Sequence, residues 1–243
     1  MPDGDRAVNR APRPAPRARE RSDLSWARRP GPTLALRLIR AVMRLAYRLL
    51  GRLRVEGAAN VPRTGPVILA PNHVSAADWP AVGVAAPRAL WFMAKAELFS
   101  MPVLGPLIRV CRAFPVRRET ADRAALRATE ALLAEGEAVV IFPEGRVSED
   151  ARLQPLKSGV ALLALRTGAA VVPVALLGTE RLLPFGAHMP RPVRKPVVVR
   201  FGPPIPLEDL RAPEQVGGTH RDALEEATRR LEGALRALLA GKG

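Results

Sequence analysis

The sequence predicts a single α/β domain, a largely parallel sheet flanked by helices and preceded by a basic amphipathic helix. Two observations carry this. Short apolar runs bounded by turn residues alternate along the chain with longer segments of helical period. One run, Ala138-Val-Val-Ile-Phe142, is apolar throughout and reads as a strand buried on both faces, as in a parallel sheet covered by helices. The size agrees: 243 residues, 48% hydrophobic and 25% charged, suit one sizeable core rather than a disordered chain.

Charge divides the chain. Residues 1–33 hold eight Arg, four acids and six Pro with few bulky apolar groups, and read as a disordered basic tail. No apolar stretch follows the charges as it would in a signal peptide. Residues 34–55 add six Arg and no acid, so about two thirds of the net charge of +15 lies in the first 55 residues. Arg37, Arg40, Arg44 and Arg48 share one narrow helical face, while Leu38, Ile39, Val42, Leu45, Ala46, Leu49 and Leu50 cover the rest. Four Arg argue against a spanning helix. The pattern fits a helix lying in the interface of an anionic membrane, or one packed on its own domain with a solvated Arg face. Residues 56–243 form the remaining domain. A basic arm also suits nucleic acid, but aromatic interleaving and a nucleic-acid module are both missing, so no nucleic-acid partner is expected. The single cysteine, Cys111, excludes an internal disulfide and points to a reducing compartment.

The elements follow in order. Val67–Ala70 is a short buried strand ended by Pro71, and a helix runs over 79–85 with Asp78 as a possible cap. Residues 88–94 form a strand. Residues 95–108 are apolar, broken by two Pro and a Gly, and too short to span a bilayer: a buried helical hairpin or a second membrane-touching patch. Residues 111–116 form another strand, and a helix over 120–135 is closed by Gly136. Strand 138–142 runs into Pro143-Glu144-Gly145-Arg146. Helix 157–167 is closed by Gly168. Pro173 marks strand 170–176 as an edge strand or a bulged one. A proline-rich loop over 184–196 leads to strand 197–201, and a last helix spans 219–240.

The chemistry gathers at Asn72-His73-Val74-Ser75-Ala76-Ala77-Asp78. His73 falls at the carboxyl end of a strand, where ligands bind in such sheets, and Asp78 lies five residues on across a turn. An Asp that accepts a hydrogen bond from one imidazole nitrogen fixes the tautomer and frees the other nitrogen to take a proton. The same two residues also read as ordinary turn chemistry. Glu144 occupies the end of another strand. Metal-ligand clusters and Gly-rich phosphate loops are missing, so neither metal nor cofactor is expected. His188 and His220 read as surface residues.

Several segments together resemble one family. Asn72-His73-(four residues)-Asp78 is similar to the first motif of the glycerolipid acyltransferases of the 1-acylglycerol-3-phosphate type. Ala113-Phe-Pro-Val-Arg-Arg118 resembles the second motif, Phe142-Pro-Glu-Gly145 the third and Val171-Val-Pro-Val174 the fourth. Met93-Ala-Lys-Ala-Glu-Leu-Phe99 also looks like the family, and the resemblance covers about residues 50–210. It implies transfer of a fatty acyl group from a thioester, of coenzyme A or acyl carrier protein, to the free hydroxyl of lysophosphatidate, giving phosphatidate. His73 would be the general base and Asp78 its orienter, with no acyl-enzyme. Arg118 would bind the acceptor phosphate, with Lys95 as a further cation. Glu144 and Gly145, with Phe142, Pro143, Arg146 and the turn residues Asn72 and Ser75, would form the substrate-binding site, Glu144 accepting from a substrate hydroxyl or orienting Arg118. The enzyme is expected on the cytoplasmic face of the cell membrane, peripheral or monotopic, with segment 98–108 lining an acyl groove. One departure stands out: the family's third motif continues Thr-Arg-Ser, and here it continues Arg146-Val147-Ser148. Glycerol 3-phosphate and lysophospholipids with larger headgroups therefore remain alternative acceptors. The competing readings are a thioesterase or lipid hydrolase and a non-catalytic membrane-binding protein.

Overall fold

A computed structural model describes residues 33–116, 123–211 and 219–241. The expected tail, apart from Thr33, and both Arg117 and Arg118 lie outside the described residues. The chain forms α1 (Leu34–Gly51), β1 (Arg54–Glu56), β2 (Val67–Pro71), α2 (Asp78–Ala85), β3 (Trp91–Lys95), α3 (Leu104–Val110), β4 (Ala113–Val116), α4 (Arg123–Ala134), β5 (Ala138–Val140), α5 (Gly159–Thr167), β6 (Ala170–Leu177), α6 (Thr179–Leu182), β7 (Val198–Phe201) and α7 (His220–Leu239). The strands make one sheet in the order β1-β7-β6-β2-β5-β3-β4. Every pairing is parallel except β6 with β7. This is the predicted largely parallel sheet with helices on its faces.

Both faces are covered, which explains the uninterrupted apolar runs. β2 alternates between two cores: Val67 and Leu69 pack with α2 and Tyr47 of α1, whereas Ile68 and Ala70 pack with α4, α5 and α7. α7 begins with a reciprocal cap between Thr219 and Asp222, and it buries Ala223, Ala227, Leu231, Leu235 and Leu238 at helical spacing.

The structure decides between the two readings of β6. It is interior, between β2 and β7, and not an edge strand. The Pro173 carbonyl accepts from Gly202 N–H at 2.9 Å, but Pro173 has no N–H to return, and pairing resumes with a one-residue shift, from Val174 opposite Phe201 to Val171 opposite Ile205. The bulge reading fits this shift. β1, three residues long, gave too little pattern to be predicted.

α1 has three faces. Leu36 and Tyr47 are buried against the domain, with Met43 and Leu50 packed beside that core. Arg40 and Arg44 donate to the carbonyls of Ala86 and Val84, both at 2.7 Å, and so close the C-terminal end of α2. Leu34, Leu38, Val42, Leu45 and Leu49 form a third stripe and stand 53–82% exposed. The helix therefore packs on its domain and still presents an apolar face. Among the described residues, no helix is long and apolar enough to cross a membrane.

Candidate active site

The site begins where β2 ends at the centre of the sheet. Asn72 extends the strand with its side chain: Oδ1 accepts from Leu176 N–H at 2.7 Å and Nδ2 donates to Leu176 carbonyl at 3.1 Å. This pins the chain just before His73. The His73 backbone is held on both sides, its N–H donating to Glu144 Oε1 at 2.7 Å and its carbonyl accepting from Ser148 N–H at 2.7 Å.

The His73 ring stacks on Phe142 with centroids 3.9 Å apart and 24° between planes. Nδ1 lies 2.9 Å from Asp78 Oδ2. That same oxygen accepts from Val74 N–H at 2.7 Å and Ser75 N–H at 2.8 Å. An oxygen that receives two backbone donors receives Nδ1–H as a third, which leaves Nε2 with its lone pair. Asp78 is fully buried, and its Oδ1 has no hydrogen-bond partner among the described residues. Asp78 opens α2 but does not cap it in the expected sense, because its side chain turns back to the amides of the preceding loop.

Ser75 is spent on structure: its hydroxyl donates to Leu183 carbonyl at 2.6 Å and accepts from Ala77 N–H at 3.0 Å. Tyr47 of α1 donates to Ala77 carbonyl, and burial, reinforced by the charge of Asp78, pushes its phenol above the ordinary range. Sequence reasoning missed Tyr47. Its position on the packed face of α1 was the available signal, but not its partner 30 residues away.

Glu144 acts as a clamp. Oε1 holds His73 N–H, and Oε2 accepts from Gln154 N–H at 2.9 Å. The carboxyl is only 3% exposed, and burial pushes its pKa up against the pull of those two backbone donors. Each oxygen thus holds one backbone donor, and a carboxylate oxygen has a second lone pair. Gln154 gave no signal in the sequence. Gly145 closes the turn with φ of 73° and its N–H on the Phe142 carbonyl at 3.1 Å. Pro143 carbonyl accepts from Lys157 N–H at 2.9 Å.

His73 and Phe142 line an open groove with Trp79, Phe92 and Lys95, and Leu98, Leu104 and Ile108 from the predicted apolar segment complete its wall. That segment is a short turn of helix plus α3 rather than a hairpin of two helices. Lys95 is exposed at the end of β3, and Arg146 is exposed beyond Gly145; among the described residues neither makes an ion pair. A second apolar pocket under α1 shares Trp79, Phe92 and Cys111 with the groove. His188 and His220 are exposed and distant from this arrangement in sequence and element, as expected.

A strand-end imidazole hydrogen-bonded to a buried carboxylate beside an apolar groove has the geometry that general-base chemistry on a partly apolar substrate requires. Comparison with known proteins gives the family. The acyltransferase family model matches residues 52–177, and the chain belongs to that family. It is 35% identical over 138 residues to the 1-acyl-sn-glycerol-3-phosphate acyltransferase of Bacillus subtilis, covering 56% of this chain and 68% of that protein. It is 31% identical over 140 residues to a chloroplastic enzyme of the same name from Arabidopsis thaliana, covering 56% of this chain. The match spans 39% of that plant relative's length. The crystal structure of the 1-acyl-sn-glycerophosphate acyltransferase from Thermotoga maritima is similar with a TM-score of 0.64 and 28% identity, over 81% of this chain and 78% of that one.

Proposed function

We propose that this chain transfers a fatty acyl group from a thioester to the free hydroxyl of 1-acylglycerol 3-phosphate, giving phosphatidate for phospholipid synthesis. The observation that carries the reading is the buried His73–Asp78 pair at the wall of an apolar groove. His73 Nε2 takes the hydroxyl proton as the oxygen attacks the thioester carbonyl. The tetrahedral adduct collapses, the C–S bond breaks, and the departing thiolate takes the proton from the imidazolium. Asp78 stabilises the imidazolium through this cycle, as the Asp of a serine-hydrolase triad does. The nucleophile belongs to the substrate, and Ser75 is committed to Leu183. A positioned base contributes about 10²–10⁴ in rate.

Lys95 at the groove edge supplies a cation for the acceptor phosphate, with Arg118 and Arg146 as further candidates. The groove takes acyl chain. Residues 56–243 do the chemistry, while α1 rests its exposed stripe on the cytoplasmic surface of an anionic membrane, where the acceptor resides. Coenzyme A and acyl carrier protein both suit the donor role. The exposed Arg146 beside Val147 favours a second reading in which the acceptor is glycerol 3-phosphate or another lysophospholipid.

The test is an acceptor panel in mixed micelles with labelled palmitoyl-coenzyme A and palmitoyl-acyl carrier protein. Phosphatidate from lysophosphatidate supports the first reading. Acylation of glycerol 3-phosphate or lysophosphatidylethanolamine instead moves the headgroup and keeps the mechanism. No acylation with either donor rejects the enzyme.

A further inference from the structure

The loop between α6 and β7 has no part in acyl transfer as read above, yet its surface is unusual. Residues 183–197 contain no acid and three exposed cations, Arg191, Arg194 and Lys195. Prolines at 184, 190, 192 and 196 stiffen the loop. Its tip is a tight turn: Ala187 N–H donates to Pro184 carbonyl at 3.0 Å, and Gly186 takes φ of 76° at the third position. The turn carries Phe185, 57% exposed, and Met189 follows at 78% exposed.

The loop is sewn to the C-terminal end of α1. Val193 N–H donates to Leu50 carbonyl at 2.9 Å, Val197 N–H to Gly51 carbonyl at 2.7 Å, and Arg52 to Arg194 carbonyl at 3.1 Å. The neighbouring residues of α1 include the exposed Leu45 and Leu49. At its root, Leu183 carbonyl receives the Ser75 hydroxyl, which ties the loop to the turn that carries His73. Bulky apolar tips on a backbone-fixed loop, surrounded by cations and free of acids, match the chemistry of a lipid surface with negative headgroups.

We propose that residues 184–195 are a second interfacial contact that binds an anionic phospholipid bilayer. Phe185 and Met189 enter the boundary between headgroups and acyl chains, and Arg194 and Lys195 meet lipid phosphates. The proposal extends the membrane reading of α1 to different residues, and its readout is local to the loop. An acidic protein is the competing occupant; projecting apolar tips, rather than a cleft, favour the bilayer.

The test uses the full chain with Met189→Cys carrying an environment-sensitive fluorophore; Cys111 is buried. The probes are phosphatidylcholine vesicles with and without phosphatidylglycerol, and acyl carrier protein alone. The expected result is a blue shift, quenched by labelled acyl chains, on the anionic vesicles. Phe185→Ser and Met189→Ser each weaken vesicle binding about tenfold. Arg194→Gln and Lys195→Gln each weaken binding about fivefold on anionic vesicles and leave neutral vesicles unaffected. Acylation of a water-soluble, short-chain lysophosphatidate stays at the wild-type rate in all four, which scores the acyltransferase reading separately. Three results overturn the proposal: emission that stays aqueous on both vesicles, a shift with acyl carrier protein but not with vesicles, or equal loss of short-chain activity in the four variants.

Discussion

Replacing Asp78 by Asn separates the charge of the carboxylate from its geometry. Val74 N–H and Ser75 N–H, at 2.7 and 2.8 Å from Oδ2, both need an acceptor. They hold the amide oxygen of the variant in the place of Oδ2 and send the NH₂ to the place of Oδ1, which has no hydrogen-bond partner among the described residues. His73 Nδ1–H therefore keeps its acceptor and its tautomer. What disappears is the attraction between the carboxylate and the imidazolium formed in the reaction. For charges about 4 Å apart at an effective dielectric constant of about 20, that is about 4 kcal/mol. The expected loss in kcat is about 10³-fold. Stability should change little: three hydrogen bonds are kept, and removal of a buried charge offsets the cost of about 1–3 kcal/mol for an NH₂ buried without an acceptor. Asp78→Ala, in contrast, leaves two backbone N–H groups and the imidazole N–H without acceptors, at about 1–3 kcal/mol each, and its Tm falls. The assay is thioester consumption with lysophosphatidate at saturation, beside thermal melts of both variants. If Asp78→Asn retains kcat within tenfold of wild type, the electrostatic role assigned to Asp78 is refuted.

Four further outcomes are expected. Glu144→Gln changes the pH dependence of stability: burial raises the folded-state pKa of Glu144, so the native state binds the proton more tightly and stability falls as pH rises through the window above the ordinary carboxylate value. The Tm difference between wild type and variant should shrink from about pH 4 towards neutrality, and a constant difference contradicts this. Gly145→Ala places a side chain at φ of 73°, where the flexible end of Lys157 gives way but the backbone does not. It should cost about 1–2 kcal/mol and lower Tm by about 2–8 °C in a melt. Lys95→Ala should raise KM for lysophosphatidate about tenfold and leave KM for an uncharged monoacylglycerol alone, because the lost ammonium meets only a charged headgroup. Leu38→Gln and Leu45→Gln, on the exposed stripe of α1, should each weaken sedimentation with anionic vesicles about tenfold without moving Tm.

The sheet was legible because its strands carry their burial in their composition: Val67–Ala70 and Ala138–Phe142 can only be covered on both faces. The strand order was not, and neither was the antiparallel β7, since β6 pairs with partners far apart in the chain. Pro173 pointed to an edge or a bulge, and sequence could not choose between them: the register shift from Phe201 to Ile205 depends on residues about 30 positions away. At the site, the five-residue spacing of His73 and Asp78 was a local signal, and the structure places them in hydrogen-bond contact. His73 N–H, held by Glu144, and Leu176, held by Asn72, lie 71 and 104 residues from those side chains, and so do not appear in any local pattern. The backbone clamp made by Glu144 was therefore not legible in the sequence. α1 was ambiguous between membrane and domain because its circumference has room for both: Leu36 and Tyr47 face inward while Leu38 and Leu45 stay outside.

The central claim, that His73 activates a substrate hydroxyl and not water, is tested most directly by product analysis in His73→Ala beside wild type. Labelled palmitoyl thioester is incubated with lysophosphatidate, and both lipid products are quantified, with a melt to confirm that the variant is folded. The account predicts phosphatidate from the wild type, little free fatty acid, and a loss of about 10² or more in the folded variant. Free fatty acid as the main product of the wild type, or phosphatidate formed at a comparable rate by His73→Ala, contradicts it.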